Sequence, residues 1–331
     1  MRNMLRGLAA ALFLAATSGL AHAQSQGQGQ GQAQSWPDRP ITLVHGFGAG
    51  GNADVIARIV AQPLSEALGK PVVVEARTGA GGNIASEYVA RTTPDGHTLI
   101  LLTGGHAVSA AMYRGLRFDP VEDFAFVSLV SVFPFVVATR AEGPVGSMAE
   151  LIAAARRDPG GLTFSSVGVG STQHLTGELL AQMAGIRLTH VPYRGGTQPL
   201  TDLLSGRIDL MVDSVTVTGA AIAAGKVRAL GVTSAAPWPA LPGAPTVSAA
   251  VPEFEVVSWV GLAAPARTPE HVVERLNREL RAVLAQPAVR ERLEGVGTRV
   301  NATSPDEMRR FISGEVKRWN EVVTRAGIER Q

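Results

Sequence analysis

Two glycine-rich turns, each entered from a short apolar strand and left through a helix, constrain the fold of this chain most. The first, His45-Gly46-Phe47-Gly48-Ala49-Gly50-Gly51-Asn52-Ala53-Asp54, follows the apolar run Ile41 to Val44 and opens a helical pattern at Val55, Ile56, Ile59, Val60 and Leu64. The second, Thr78-Gly79-Ala80-Gly81-Gly82-Asn83, follows Val72-Val73-Val74-Glu75 and leads into another helical pattern. Glycine lets backbone approach closely and reach positive φ. The first amides of a helix lack internal partners, and the helix dipole adds about half a positive charge beside them. Two such turns in one chain point to an anion held by backbone amides rather than by arginines.

The rest of the chain alternates short β-branched runs with helical patterns, which predicts an α/β fold of parallel-rich sheets flanked by helices. Strands are expected at 41–45, 72–75, 98–102, 126–132, 136–139, 163–165, 188–191, 208–212, 227–232 and 256–262. Helices are expected at 54–68, 84–90, 148–157, 175–183, 199–204, 218–224, 269–284 and 305–325. Pro63 falls inside the first helix and predicts a kink or an early stop there. Polar Gly/Pro stretches at 140–144 and 252–258 mark two changes of domain. If the chain crosses between lobes twice, the strands at 136–139 and 256–262 are its hinges.

Residues 1–23 read as a secretory signal. Arg2 and Arg6 form the charged start, 8–20 is an apolar stretch too short to span a bilayer, and Ala21-His22-Ala23 is a cleavage site. Residues 24–35 are a polar Gln/Gly/Ser repeat, expected to be a disordered linker. The chain has no cysteine, hence no lipid-anchor thiol and no disulfide. Of its 30 basic residues two lie in the signal, and the remainder balance the 28 acids. No basic block interleaved with aromatics is present, so nucleic acid is not an expected partner.

Gly46 to Gly51 also satisfies the G-x-G-x-x-G pattern, with Glu75 ending the next strand where a dinucleotide enzyme places its ribose acid. A nucleotide-binding oxidoreductase using that turn is therefore the alternative reading, opposed by the secretion signal. Ser171 and His174 share a helical turn but no G-x-S-x-G elbow surrounds them, so a serine hydrolase is disfavoured. The seven histidines form no metal-ligand spacing, and no metal or cofactor is expected. Candidate contacts from the second half are Ser171 and Thr172 at a helix start, His174, Tyr193 after one strand, and Asp213 at the end of another. His106, after Gly104-Gly105, faces either a cleft or solvent. Asp54 either caps its helix, orients the first turn or bonds a ligand amine.

Many segments together resemble one family. They include Trp36-Pro37-Asp38-Arg39-Pro40-Ile41, Gly50-Gly51-Asn52-Ala53-Asp54, Thr78 to Ile84 and Pro94-Asp95-Gly96-His97-Thr98-Leu99. Further along come Phe118-Asp119-Pro120, Gly168 to Leu175, His190-Val191-Pro192-Tyr193-Arg194-Gly195 and Gly261-Leu262-Ala263-Ala264-Pro265-Ala266. Over residues 36–328 the chain resembles the Bug-type periplasmic solute receptors of tripartite tricarboxylate transporters. The resemblance implies a non-enzymatic, monomeric, two-lobed clamshell of the type II-like periplasmic-binding-protein kind, with two crossovers. The lobes would be 36–138 with 260–331, and 139–259. It implies a small carboxylate ligand, a periplasmic location, and a membrane transporter or sensor kinase as partner. The ligand set it implies, together with the reading above, is Phe47, Gly48, Gly50, Gly51, Asn52, Asp54, Gly81, Gly82, His106, Ser171, Thr172, His174, Tyr193 and Asp213. The chain departs from the family at the first turn, where Gly46-Phe47-Gly48-Ala49 stands in place of Pro-Phe-Pro-Pro or Pro-Phe-Ala-Pro. His45 there replaces an apolar residue.

Overall fold

Among the described residues, 36–331, ten strands and ten helices of a computed structural model account for the alternation in the sequence. The expected signal and linker, 1–35, lie outside the described residues. The first glycine turn joins β1 (Ile41–His45) to α1 (Asn52–Leu68). β2 (Val72–Ala76) leads through a tight 3-10 turn, Ala80–Gly82, into α2 (Asn83–Ala90). β3 (Thr98–Thr103) leads into α3 (Gly105–Met112), and β4 (Phe124–Arg140) follows. Next come α4 (Met148–Arg157), β5 (Thr163–Ser166), α5 (Thr172–Ala184), β6 (Thr189–Pro192), α6 (Gln198–Ser205), β7 (Leu210–Ser214), α7 (Val215–Ala223) and β8 (Val227–Val232). The chain ends with β9 (Val257–Pro265), α8 (Glu270–Ala285), α9 (Pro287–Gly295), β10 (Arg299–Val300) and α10 (Pro305–Ala326).

β4 organises these elements into two joined sheets. Its first part, through Pro134, pairs antiparallel with β9, and β10 pairs with it at Ser131 and Val132. From Phe135 onward β4 pairs antiparallel with β7 and β8 instead. Parallel strands flank this spine on both sides: β2-β1-β3 beyond β9, and β5-β6 beyond β7. The sheet is therefore mixed, with its parallel portions feeding the glycine turns. Ligands in open α/β sheets bind beyond the carboxyl ends of such strands.

Several elements differ from expectation. The strands expected at 126–132 and 136–139 are one strand, because Pro134 sits where the ladder changes partners. A residue without an N–H is tolerated at that point. α1 runs on through Pro63 to Gly69, whose left-handed conformation ends the helix. Its face of Ile56, Ile59, Val60, Leu64 and Leu68 is buried, at about 1.5–3 kcal/mol per large side chain, which outweighs a single proline cost of about 3 kcal/mol. α3 and α9 were not expected. Glycines at the start of α3 look like a loop, and α9 opens on Pro287, which suits a first helical turn.

Candidate functional site

The first turn is buttressed from behind. Asp54, in the first turn of α1, accepts the Gly50 N–H at 3.0 Å and the Arg58 Nε–H at 3.0 Å. His45 Nε2 lies 3.2 Å from the same carboxylate, while His45 Nδ1 accepts the Phe47 N–H at 3.4 Å. Burial raises the Asp54 carboxyl, but the bonds from Arg58 and Gly50 outweigh that and hold it below the usual range. Burial keeps His45 neutral, lowering its basicity against the pull of Asp54. With Nδ1 accepting, the ring hydrogen sits on Nε2, facing Asp54. Asp54 thus orients the turn, one of the roles expected for it, and it is absent from the lining of both cavities between the turns. Asp54→Ala is predicted to weaken ligand binding about tenfold and to lower stability by about 1–3 kcal/mol, because the Gly50 N–H loses its buried partner. Titration calorimetry and chemical denaturation read the two effects.

Backbone approach explains the glycines. A Cβ on Gly46 would sit 2.5 Å from Gly82 Cα, so the two turns pack directly on each other. Gly81, at φ +64°, places its α-carbon where a Cβ would lie 2.8 Å from Val169 O in the turn after β5. Gly48 N–H donates to Arg194 O at 3.1 Å, in the turn after β6, and forms an isolated parallel bridge with Gly195. Side chains add to this closure. Tyr113 Oη donates to Val169 O at 2.9 Å, and Thr216 Oγ1, at the start of α7, donates to Asn52 Oδ1 at 2.6 Å. Turns from the two halves of the sheet are thus in contact. The glycines of the G-x-G-x-x-G pattern are accounted for by this packing, and Glu75 pairs with Arg77 at 2.7 Å.

Between the turns lies a small cavity. Of the expected residues, Phe47, Gly51, Asn52, Thr172 and Asp213 line it. Gly81, Gly82 and His106 line a second, smaller cavity, which shares Phe47 and Thr103 with the first. Gly48 and Gly50 shape the turn behind Phe47 and Gly51.

Ser171, His174 and Tyr193 line neither cavity. Ser171 Oγ accepts the His174 N–H at 3.2 Å as the N-cap of α5 and donates to Gly168 O at 2.7 Å, so its hydroxyl is consumed locally. The His174 ring stacks on His190 at 4.0 Å and accepts the Gly170 N–H at 3.4 Å. Tyr193 Oη donates to Asp202 at 2.8 Å. His106 is not a solvent residue, and it meets the cleft only where it lines the smaller cavity. It lies in α3, 4% exposed, between Phe118 and Phe124, with Nε2 2.8 Å from Pro120 O and Nδ1 3.2 Å from Ser86 Oγ. Burial takes its pKa down to about 4 despite the Pro120 bond.

The structure also lines the larger cavity with Thr103, Phe133, Phe135, Gln173, Gly196 and Ser258, which the sequence reading did not select. Thr103 and Phe135 sit on strands where composition reads as core. Gln173 stands beside Thr172 in a capping segment, where its polarity looks like helix surface. Among the described residues lining the cavity, none is Lys, Arg or His. No described group of three or more His, Cys, Asp or Glu side chains could hold a metal.

The description of the tripartite tricarboxylate transporter family receptor matches residues 56–328. The chain belongs to this receptor family. It is 40% identical over 324 residues to a protein encoded in the tcbD-tcbE intergenic region of a Pseudomonas species, covering 97% of this chain and 93% of that one. Protein BugT of Bordetella pertussis is 33% identical, with 98% of each chain covered. Among solved structures, Rpa4515 of R. palustris with adipate superposes with a TM-score of 0.86 at 38% identity, over 89% of this chain and all of that one. The periplasmic binding protein BugD gives 0.86 at 35%, over the same shares. MatC from Rhodopseudomonas palustris with bound malate gives 0.83 at 32%, over 87% of this chain and 99% of that one. The fold is accordingly that of a two-lobed periplasmic binding protein, and the protein is a solute-binding receptor.

Proposed function

We propose that this receptor works outside the cytoplasm, after loss of residues 1–23, capturing a small carboxylate in the cavity between its glycine turns. The lobes we assign are 36–138 with 260–331, and 139–259, joined through β4 and β9. Ligand bridging them favours the closed arrangement by its differential affinity for it. A membrane transporter or a sensor then reads that closed form.

The observation that carries this reading is the lining of the larger cavity. Its polar groups come from both halves of the sheet: the Gly51-Asn52 start of α1 on one side, Thr172 and Gln173 at the start of α5 on the other. Two helix N-termini aimed at one cavity suit a carboxylate without any arginine. Adipate and malate in the related structures are dicarboxylates, in line with this chemistry.

A thermal-shift panel tests the proposal. It holds amino acids, di- and tricarboxylates, aromatic acids and nicotinamide nucleotides. A carboxylate at 100 times its Kd adds about 2.7 kcal/mol, a shift of roughly 5 °C or more. A shift given only by the nucleotides would return the Gly46–Gly51 turn to the oxidoreductase reading.

A further inference from the structure

The ligand cavity holds one group that a carboxylate would not choose as a neighbour. Among the described residues lining it, Asp213 alone ionises. It ends β7 and is 3% exposed. Its Oδ1 accepts the Ser214 N–H at 2.7 Å, with Ser214 Oγ at 3.4 Å, and the Gln173 side chain donates to the carboxyl from α5.

Among the described residues packed around it, no cation offsets it. β4 from 124 to 139, β5 and α7, all packed against β7, carry no titratable side chain. Arg140, at the end of β4, lies beyond its last pair with β7, Thr139 with Leu210. On α5, His174 stacks on His190, with Glu178 3.7 Å from its Nε2. On α6, Asp202 is taken up by Tyr193, Gln198 and Arg207. Across the cavity the polar lining is neutral: Asn52, Thr103 and Ser258. Burial pushes the Asp213 carboxyl up to about 6, against the bonds from Ser214 and Gln173. A second negative charge brought into this cavity meets a carboxylate with little water and no counter-ion to screen it.

We propose that Asp213 is the specificity-determining residue of the cleft, and that it requires the end of the ligand facing it to bear a proton. A monocarboxylate whose far end is a hydroxyl donates that hydrogen to Asp213 and binds as it is. A dicarboxylate binds together with one proton from solvent, which bridges its far carboxylate and Asp213; its near carboxylate stays ionised at the helix starts. This inference rests on the carboxylate-receptor reading above.

The test uses probes that differ only at one end: succinate and adipate against their ω-hydroxy monoacids. Titration calorimetry in two buffers of different ionisation enthalpy counts the protons. For wild type, the dicarboxylates take up close to one proton, and their affinity rises about tenfold per unit as pH falls from about 8 to about 6. The slope then flattens as free Asp213 itself becomes protonated. The hydroxy acids show no uptake over that range. In Asp213→Asn, which is isosteric, dicarboxylate binding loses its pH dependence. Dicarboxylate binding to wild type without proton uptake overturns the proposal, as does uptake that persists in Asp213→Asn. If no carboxylate of either kind produces heat or a thermal shift, the receptor reading itself fails. That outcome is distinct from carboxylates that bind without a proton.

Discussion

Gly51→Val weakens carboxylate binding by roughly tenfold to a hundredfold while leaving the melting temperature within about 2 °C of wild type. The backbone of Gly51, at φ −74° and ψ 167°, is one that valine adopts readily, and it makes no side-chain cap to lose. A Cβ there meets Gly196 N at 3.1 Å and Gly48 O at 3.1 Å. The first of these contacts reaches across to the turn after β6, so it is relieved by parting the two halves of the sheet. That strain falls on the closed arrangement, while the contact with Gly48 O lies within the turn itself and needs its carbonyl to give by a few tenths of an ångström, which leaves each half folded. Overpacking of this kind costs about 1–3 kcal/mol, which is the origin of the expected affinity loss. Gly314, inside α10, has nothing within 4 Å of its Cβ position. Gly314→Ala serves as the control, with unchanged binding and about 0.5–1 kcal/mol of added helix stability. Calorimetric titration of both variants decides the matter; equal affinity in Gly51→Val and wild type would remove the first turn from the ligand site.

Folding stability drops steeply as pH falls from about 6.5 toward 4. His106 and His174 are held down to about 4 and His190 to about 3, in each case chiefly by burial. Unfolded histidine takes up a proton near 6.5, so below that pH the unfolded chain binds protons the native protein refuses. Their stabilisation is complete above 6.5 and is lost as pH falls toward the folded values. Asp213 acts in the opposite sense. Its folded pKa of about 6 lies above the unfolded 3.8, so the native state gains a proton first and recovers stability between those values. Asp54 and Asp95, held low in the folded state, add further losses only below the unfolded carboxylate value. Three histidines against one aspartate leave a net of roughly two protons near pH 5, or about 2.7 kcal/mol per pH unit; His45, lowered by burial, adds to that loss and Glu178, raised by burial, opposes it. His106→Gln removes one of these protons and is predicted to halve that slope. Urea denaturation at several pH values measures it, and a flat profile would contradict the buried, neutral state of these rings.

The glycine turns were legible because backbone contact leaves a mark that no other residue can carry: Gly46 against Gly82 and Gly81 against Val169 each exclude a Cβ. The alternating strands and helices were legible from their periods. The long β4 was not, because Phe133-Pro134-Phe135 reads as an interruption, whereas Pro134 marks the exchange of ladder partners from β9 to β7. Side-chain roles were harder still. Asp54, Ser171 and Tyr193 have the chemistry of ligand contacts, yet each is spent on a neighbour within a few residues or across one turn. Sequence shows the donor and not its partner. Gln173, Thr103 and Ser258 reach the cavity through the convergence of α5, β3 and β9, which no local pattern encodes. His106 follows two glycines that look like a loop. Gly104 is small instead because a Cβ would lie 2.7 Å from Ser258 Oγ and 2.8 Å from Thr172 Oγ1.

The most direct measurement is a crystal structure grown with the carboxylate that gives the largest thermal shift. The account predicts one carboxylate group against the Gly51 and Asn52 start of α1, with the other end of the molecule between Thr172, Gln173 and Asp213. A carboxylate seated elsewhere, such as the groove beside Trp238 and Arg290, with the cavity between the glycine turns left to water, would contradict it.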